Sequence, residues 1–405
     1  MKIVPSEGKP RVLILTSPAE IHSFAVKEGL VRKGVETHLW HTPDFPSLQT
    51  GSLWFDSAGN KCEVVGPELE ILNDGITSLW VRRPTAPVLP DQLDPADRDF
   101  ALRESTLFAR SLYREVGAKA FWVNPPDSQR RANLKTQQLR AAAQAGFKIP
   151  RTLCSNDPTR IREFLRSAPK GIIYKSFFPM SWRTSDGVAT LFSSVVQEQD
   201  LPHDPVLQAS PGIFQELVPK AYELRITAMG SRMFTAKFRS QEIPEGRVDW
   251  RAAFDRLPIE PAELPESVAV ACRQVMTSLG LVFGCFDLIV TPEGDYVFLE
   301  INEMGAFLWI EEKVEELRLL DAFCEFLIQG AVDFRWCKSS ENVHWRDVFD
   351  RAMRQFEVEA PQAHIRIPTE SIFDDAQDDW PYRESLDGEH AELNRTSTAP
   401  KTPTY

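Results

Sequence analysis

The sequence predicts an α/β protein with several domains, and three observations support this. The apolar run Arg11–Thr16 is followed by a helical pattern and by the strand Glu36–His41, which is the β-α-β order of a parallel sheet covered by helices. From residue 171 onward, short strands separated by turns predict antiparallel pairs mixed with helices, an α+β arrangement. The chain has 405 residues, of which 42% are hydrophobic, and this is enough for two or three cores.

The first predicted unit covers residues 1–126. Its first helix spans residues 19–33 and is stopped by Gly34, and a long amphipathic helix over residues 96–116 is stopped by Gly117. Pro125 and Pro126 end the last strand of the unit and therefore mark its boundary. The further strands of this unit are expected at residues 52–55, 77–81 and 121–124.

A second unit is predicted over residues 127–210. It opens with a helix at residues 129–145, and Asp157 before Pro158 is a favourable N-cap for another helix at residues 159–167. Two antiparallel strands flank a small polar loop at residues 181–187. The strands of this unit are expected at residues 149–153, 171–176 and 189–196.

The third unit is predicted over residues 211–332, and the pattern weakens beyond it. Residues 333–405 read as a partly disordered acidic appendage, with one helix at residues 343–356. The third unit has strands expected at residues 213–218, 223–229 and 233–239, and helices expected at residues 263–279 and 314–330.

Composition limits the partners and the compartment. A formal net charge of −12 argues against nucleic acid or an anionic membrane as a partner. No apolar run approaches the ~20 residues of a membrane span, and the N-terminus lacks the pattern of a secretory signal. The six cysteines show no C-x-x-C pairing, which is typical of reduced cysteines in a cytoplasmic protein. A homodimer is the default assembly for such a chain.

The stretch from residue 283 to residue 312 carries a candidate metal site. Glu300 and Asn302 are two apart on a strand and therefore point to the same face, and a hairpin closed at Gly294 returns the chain so that Asp287 reaches them. Two carboxylates and an amide oxygen are hard ligands suited to Mg²⁺. The alternative is a solvated acidic face, which the apolar neighbours disfavour because buried carboxylates need a partner or a metal.

Cationic candidates lie upstream of this hairpin. Lys175 ends the strand Ile172–Lys175 beside the polar loop and can reach nucleotide phosphates, although a lysine at a strand end often only extends toward water. Lys135 is a second candidate, and nothing local separates it from an ordinary helix-surface lysine.

The segment after residue 214 predicts nucleotide contacts. Backbone groups of Gln215, Glu216, Leu217 and Val218 can bond the edge of an adenine, and Glu223 can accept from ribose hydroxyls. Arg225 can meet a phosphate, unless it only forms a weak cross-strand pair with Glu223. Two further cations, Lys237 and Arg239, lie two apart on the next strand. The patterns G-x-x-x-x-G-K-[ST] and G-x-G-x-x-G do not occur, so the chain is neither a P-loop nor a dinucleotide-binding protein.

These residues and several longer runs resemble the ATP-grasp superfamily, and within it the graspetide (microviridin-type) peptide ligases. The resemblance covers about the first 330 residues in family order. It is carried by WVRRP (80–84), WVNPP (122–126), RANLKTQQL (131–139), IPRTLCSNDP (149–158), VPKAYELRIT (218–227), VDWR (248–251) and FLEINEMGAFLWIE (298–311).

The resemblance implies an ATP-grasp fold, in which a parallel pre-ATP-grasp domain precedes two α+β lobes that clamp ATP. It implies that Lys135 and Lys175 contact the nucleotide, that Glu216 and Val218 form the adenine hinge, and that Glu223 holds the ribose. Asp287, Glu300 and Asn302 would carry Mg²⁺, expected as two ions, and Arg225 with Lys237 or Arg239 would act as the catalytic cations on the transferred phosphoryl group. The family usually has Pro-x-Gly-Gln after the asparagine, whereas residues 303–306 here are Glu-Met-Gly-Ala.

The activity implied is activation of an Asp or Glu side chain of a ribosomal precursor peptide as an acyl phosphate. A Ser or Thr hydroxyl or a Lys amine of the same peptide would then attack it, giving a macrocyclic ester or amide. Two alternatives stay open from the sequence: a ligase for a small amino acid or short peptide, and a non-catalytic nucleotide-binding protein. Arg82 and Arg83 are candidates for peptide binding, and a structural ion pair is expected for at least one of them.

Overall fold

Four parallel strands form the first sheet, and a three-stranded antiparallel meander accompanies it. The computed structural model describes residues 9–72, 75–177, 181–184, 187–190 and 193–365. The elements of this part are β1 (Arg11–Thr16), α1 (Ile21–Arg32), β2 (Glu36–His41), β3 (Thr50–Asp56), β4 (Gly59–Gly66), β5 (Leu69–Leu72), β6 (Ser78–Val81), α2 (Arg98–Val116) and β7 (Phe121–Val123). The parallel sheet has the order β2-β1-β6-β7, which confirms the prediction from the β-α-β pattern.

The second part contains a four-stranded antiparallel sheet. Its elements are α3 (Pro126–Asn133), α4 (Lys135–Gln144), β8 (Thr152–Ser155), α5 (Pro158–Arg166), β9 (Ile172–Lys175), β10 (Ser181–Thr184), β11 (Gly187–Thr190), β12 (Ser194–Val196), α6 (Asp204–Ala209) and β13 (Gly212–Glu216). The sheet order is β12-β9-β13-β8, and β10 and β11 form a separate hairpin.

Three details of this part differ from the sequence prediction. Strand β13 was expected in the third unit, but it pairs with β8 and β9 and so belongs to the central sheet. The single helix predicted over residues 129–145 is broken at Leu134, whose extended backbone (φ −77°, ψ 100°) separates α3 from α4. The polar loop expected at residues 181–187 is a hairpin where the structure describes it, and residues 185–186 lie outside the described residues.

The third part is a five-stranded antiparallel sheet with the order β16-β15-β14-β17-β18. Its elements are β14 (Tyr222–Met229), β15 (Arg232–Phe238), β16 (Ile259–Ala262), α7 (Glu266–Leu279), β17 (Phe283–Val290) and β18 (Tyr296–Asn302). Side chains alternate along β14, so Leu224 and Ile226 enter a core with residues of α4 and α7, whereas Glu223 and Arg225 lie on the opposite face. That opposite face carries the candidate site.

The helices that follow return to the first sheet. They are α8 (Leu308–Lys313), α9 (Leu319–Gln329), α10 (Trp345–Arg354) and α11 (Ala360–Ala363). The helix predicted over residues 314–330 is interrupted at Arg318, which has a left-handed backbone (φ 48°). Trp345, Val348 and Ala352 of α10 share a buried core with Val26 and residues of α9.

The C-terminal residues expected to form an appendage are therefore packed up to residue 365, and residues 366–405 lie outside the described residues. Along β1, Val12 and Ile14 face the core built with α1 and α9, whereas Leu13 and Leu15 face the core built with α2 and the meander. Among the described residues, no helix has both the length and the apolar character needed to cross a membrane.

Candidate active site

A β-bulge aligns the candidate metal ligands on β17 and β18. Leu288 pairs with Phe298, but the register shifts by one residue beyond this pair, so that Asp287 lies opposite Glu300. Leu299 is the extra residue, and without it Glu300 would point to the other face of the sheet. Asn302 Nδ2 lies 3.3 Å from Asp287 Oδ2 and 3.3 Å from Glu300 Oε1, so the hairpin brings the three side chains together.

Each of the two carboxylates has a cationic partner. Arg225 Nη1 lies 2.9 and 2.8 Å from the two oxygens of Asp287, and Lys135 Nζ lies 2.7 Å from Glu300 Oε2. Burial raises the pKa of Asp287 and the nearby Glu300 carboxylate adds to this, so the pKa stays raised although Arg225 opposes it. Burial also acts to raise the pKa of Glu300, but Lys135 and Lys175 outweigh it and the pKa is lowered.

The donor set fits Mg²⁺. Two carboxylates and an amide oxygen within hydrogen-bond reach of one another are the oxygen ligands that Mg²⁺ takes, and so few protein ligands leave positions for water and phosphate oxygens. No group of three or more His, Cys, Asp or Glu side chains in the described part of the chain offers a competing cluster.

Three polar side chains from earlier in the chain hold the backbone that carries these ligands. Gln138 of α4 pairs with both backbone groups of Ile301, accepting from its N–H at 3.1 Å and donating to its carbonyl at 2.9 Å. Asn124 donates to the Glu303 carbonyl at 2.9 Å, and Arg82 donates to the Met304 carbonyl.

Because β18 is an edge strand, these bonds replace the pairing that a further strand would supply. The sequence pattern does not identify Asn124 and Gln138 as positioning residues. Both lie in runs that carry the family resemblance, WVNPP and RANLKTQQL, but no local pattern tells which backbone group such a side chain will meet.

The expected adenine hinge follows β13. The N–H of Glu216 donates to the Arg151 carbonyl at 2.9 Å and the N–H of Leu217 to the Gly171 carbonyl at 2.9 Å. The N–H of Val218 has no backbone acceptor among the described residues, which makes it the available donor at the hinge. Gln215 is buried, and its side chain donates to Thr152 Oγ1 at 3.1 Å, so its contribution to the hinge is structural.

Two further expected nucleotide contacts lie between the hinge and the carboxylates. Glu223 is buried and accepts from Lys220 Nζ at 2.7 Å, and Lys220 also donates to the Val248 carbonyl at 3.1 Å. Lys175 lies at the end of β9 and faces the same cavity. Burial lowers the pKa of Lys175, and the Glu300 carboxylate acts against this.

Lys237 and Arg239 do not join the site, which corrects the sequence expectation. Arg225 lies opposite Ala236 in the β14–β15 ladder, so Lys237 points to the other face of the sheet, where it pairs with Glu260 at 2.8 Å. Arg239 follows β15, is 46% exposed and pairs with Glu242 at 2.5 Å. A further cation near the carboxylates is Arg251, which the sequence pattern did not single out.

Arg251 is fixed by Asp249, to which its Nε and Nη2 donate at 2.8 and 2.5 Å. Its charge acts to lower the pKa of both Asp287 and Glu300, which shows that it lies within electrostatic reach of them. The signal for it was the run VDWR, in which an arginine follows an acid and an aromatic residue, but nothing in that run indicates which strand it faces.

The expected hinge, ribose, phosphate and metal residues, together with Arg251, line one cavity of about 400 Å³. Trp250 and Trp309 stack at a centroid distance of 5.3 Å on its wall. Six cationic and six acidic side chains line it, so their formal charges balance: Arg83, Lys135, Lys175, Lys220, Arg225 and Arg251 against Glu216, Glu223, Asp249, Asp287, Glu300 and Glu303.

Three solved structures are similar to this chain over about four-fifths of its length. An ATP-grasp ligase of Chryseobacterium gregarium, described as RiPP-associated and in complex with ADP and a leader and core peptide, is 26% identical with a TM-score of 0.72, over 81% of this chain and 100% of that chain. The macrocyclase MdnC of Microcystis aeruginosa, bound with its precursor peptide MdnA, is 29% identical with a TM-score of 0.68, over 79% and 99% of the two chains.

The macrocyclase MdnB of the same organism is 28% identical with a TM-score of 0.66, over 78% of this chain and 99% of that chain. No protein-family model and no curated protein matches the chain. The similarity to the three structures confirms the fold expected from the sequence.

Proposed function

We propose, from the premise that the chain belongs to the graspetide ligases of the ATP-grasp superfamily, that it uses ATP to form ester or amide crosslinks within a ribosomal precursor peptide. The observation that carries the proposal is the position of Asp287, Glu300 and Asn302. They lie on one face of a sheet and line the same cavity as the hinge residues Glu216 and Val218 and the cations Lys135, Lys175 and Arg225. The chain would act as an ADP-forming carboxylate ligase.

The nucleotide would lie along the cavity from the hinge toward the carboxylates. The Val218 N–H would donate to the adenine edge and the Glu216 carbonyl would accept from it. Glu223 would hold the ribose hydroxyls, and Lys175 would contact phosphates. Lys135, 2.7 Å from Glu300, would exchange part of that ion pair for the phosphates. This placement of the nucleotide is supported by the fact that all of these residues line one cavity.

Asp287, Glu300 and Asn302 would hold Mg²⁺, which supplies charge neutralisation and orientation of the phosphates when bound. We infer two ions from the charges. The cavity side chains balance formally, so ATP with four negative charges would leave the closed site uncompensated, whereas two divalent ions would restore balance. Metal titration by isothermal calorimetry in the presence of ADP would give the number directly.

The first chemical step would be phosphoryl transfer to an Asp or Glu side chain of the peptide. A carboxylate oxygen forms a bond to the γ-phosphorus while the bond from that phosphorus to the β–γ bridging oxygen breaks, and ADP leaves with the electron pair. Arg225 and Arg251 would stabilise the charge on the transferred group. The product is an acyl phosphate, in which phosphate has become a good leaving group.

The second step would close the ring. A Ser or Thr oxygen, or a Lys nitrogen, attacks the acyl carbon, its proton is lost, and the carbon–oxygen bond to phosphate breaks. One ATP is consumed for each ring, and the peptide loses the elements of one water. Water in the cavity would hydrolyse the acyl phosphate instead, so the aromatic wall of Trp250 and Trp309 would favour ring closure by excluding it.

Co-expression with a short peptide encoded beside the gene, carrying Ser, Thr or Lys and Asp or Glu residues, tests this function. Mass spectrometry is expected to show the loss of one water mass per ring. The control is Glu300→Gln, which removes a proposed metal ligand at similar volume and is expected to leave the peptide mass unchanged while the protein still folds.

Two results would count against the proposal. One is ring formation by Glu300→Gln at the wild-type rate. The other is hydrolysis of ATP by the wild type with no mass change in any such peptide. The expected homodimer and cytoplasmic location stay predictions.

A further inference from the structure

We propose that Arg83 binds the acceptor carboxylate of the peptide, at the end of the cavity opposite the adenine hinge. The inference rests on the proposed function and goes beyond it, because it assigns the substrate side of the site to a residue of the first domain. Of the two adjacent arginines that the sequence marked, the structure gives only this one access to the cavity.

The order of groups along the large sheet fixes which end of the cavity is the acceptor end. Strand β14 begins just after the hinge and carries first Glu223 and then Arg225, about 7 Å further on. Strand β18 runs the same way, because both pair antiparallel with β17, so it ends at Asn302, far from the hinge.

Arg83 lies beyond that far end. Its backbone N–H lies 3.4 Å from Met304 Sδ, in the loop that leaves β18, and its side chain lines the same cavity as Asn302 and Arg225. A triphosphate extended from the hinge over Asp287 and Glu300 would end between these carboxylates and Arg83. In-line transfer requires the acceptor oxygen on the far side of the γ-phosphate, which is where this guanidinium lies.

Arg82 and Arg83 have different environments although they are neighbours. Arg82 is fully buried, donates to the Met304 carbonyl, and has Nη2 3.2 Å from Glu20 Oε1. Arg83 is 35% exposed, and its Nη1 lies 3.5 Å from Glu20 Oε2. Arg82 is therefore a structural residue that ties the first domain to the metal-site loop, and Arg83 is presented to the cavity beside it.

The backbone supports the same division. Arg83 has a left-handed conformation (φ 46°), which side-chain-bearing residues rarely adopt and which recurs at ligand-binding sites. This turn of the backbone allows Arg82 to point to the interior while the next residue, Arg83, points to the cavity.

The charges around Arg83 leave a surplus of positive charge. Within the described part of the chain, Glu20 is the carboxylate that Arg82 and Arg83 share, so one carboxylate serves two guanidinium groups. His22 also contacts Glu20, at 2.9 Å, but burial and then the charge of Arg82 lower the pKa of His22 to about 4, so it is neutral at pH 7. Glu303, in the loop that follows β18, is also buried and is an acidic side chain that lines the same cavity.

An anion is the ligand that such a site recognises. A guanidinium presents two parallel N–H groups that match a carboxylate, whereas a lysine offers only a point charge. Arg225 and Lys135 already hold Asp287 and Glu300 at 2.9 Å or less, while the contact of Arg83 to Glu20 is longer at 3.5 Å, so Arg83 is held less tightly by its carboxylate than these two cations are by theirs.

The test uses the full chain and the precursor peptide that the wild type dehydrates in the co-expression experiment. For Arg83→Gln, kcat/KM for the peptide is expected to fall about 10²-fold, because the acceptor oxygen is no longer held in line. The Kd for Mg·ADP should stay at the wild-type value, since Arg83 lies at the opposite end of the cavity from the adenine hinge. The melting temperature should change little, because the buried Glu20 keeps Arg82 as its partner when Arg83 is replaced. Arg83→Lys should recover part of the loss.

Arg103→Gln is the matched control, because Arg103 is an exposed arginine of the same domain whose ionic partner among the described residues is Asp99 on its own helix. It should behave as the wild type does. Wild-type kcat/KM for Arg83→Gln would overturn the inference, and so would a parallel loss of Mg·ADP affinity. If the wild type dehydrates no peptide, the proposed function itself fails and this inference falls with it.

Discussion

At the scale of single residues, oppositely charged side chains of the site form ion pairs with each other. Asp287 is held by Arg225, and Glu300 by Lys135, on the face that would receive a triphosphate and Mg²⁺. On ligand binding, Arg225 and Lys135 would turn to the phosphates, and Asp287 and Glu300 would bind the metal. Binding of ATP and of Mg²⁺ is therefore expected to be mutually dependent, because either ligand alone would leave buried charges without a partner.

Arg251 and Lys237 give a sharp residue-level prediction, since the sequence favoured the second and the structure favours the first. Arg251→Lys, which keeps the charge but loses the fork held by Asp249, should lower kcat by about 10²-fold, as removal of a donor to a developing charge typically does. Lys237→Gln should leave kcat unchanged because its side chain lies on the opposite face of the sheet. ADP release in the presence of the peptide measures both.

Melting curves accompany these assays, because Asp249 is buried and a loss of its partner affects stability as well. A normal kcat for Arg251→Lys with a lowered kcat for Lys237→Gln would reverse the assignment. The sequence singled out Lys237 as a candidate cation and contained Arg251 only within the run VDWR. It could not separate them, because the face on which Lys237 lies depends on the register of β14 against β15, which Leu224 and Ile226 set by entering the core.

At the scale of elements, the hairpin of β17 and β18 carries the proposed metal ligands. The outer edge of β18 is held by the side chain of Gln138. The hairpin and its turn at Gly294 follow from the sequence, because apolar runs flank a Pro-Glu-Gly-Asp turn, and in the structure Gly294 adopts a positive φ of 86°. The bulge at Leu299 cannot be predicted from the sequence. One inserted residue shifts the alternation of side chains between the two faces of the sheet, and only the packed structure shows which strand carries the insertion.

Gln138 provides the element-level prediction. Gln138→Leu leaves the N–H and the carbonyl of Ile301 without the side chain that satisfies them, and Ile301 is fully buried. The free energy of unfolding should fall by roughly 1–3 kcal/mol, the cost of an unsatisfied buried polar group. Because Ile301 lies between Glu300 and Asn302, kcat should fall as well. Urea unfolding and ADP release measure the two effects.

Gln144→Leu is the control for this experiment, because Gln144 is exposed at the end of the same helix. It should change neither stability nor kcat. A Gln138→Leu protein with wild-type stability and activity would mean that β18 does not depend on α4 for its edge.

At the scale of the whole molecule, the C-terminal helices close the chain on its first domain. Trp345 and Val348 of α10 are buried in the core that contains Val26 of α1, and His364 Nδ1 lies 2.6 Å from Asp44 Oδ2. The sequence predicted a helix here but assigned it to an appendage. Its apolar residues Trp345, Val348, Phe349, Ala352 and Met353 have the spacing of one amphipathic face, but this pattern does not reveal which surface of the chain covers that face.

Glu311 joins α8 to α9 and to α10. It is fully buried and accepts from the backbone N–H of Leu320 at 2.6 Å and of Trp345 at 2.8 Å, while His344 Nδ1 lies at 3.5 Å. Burial raises its pKa from the ordinary 4.5 to about 7, although both backbone bonds and the charge of Arg318 act to lower it.

The folded protein therefore keeps the Glu311 proton up to about pH 7, whereas the unfolded chain releases it near pH 4.5. Between these values the folded state binds more protons, so this group makes the protein less stable as pH rises, by an amount of the order of 2–3 kcal/mol across the window. Glu311→Gln, which cannot ionise, should lose this dependence, while Glu312→Gln, an exposed neighbour, should keep it. Urea unfolding from pH 4.5 to pH 8 measures the difference between each variant and the wild type. A constant difference for Glu311→Gln would show that Glu311 is ionised throughout and that the joint between the helices is held by a charged carboxylate.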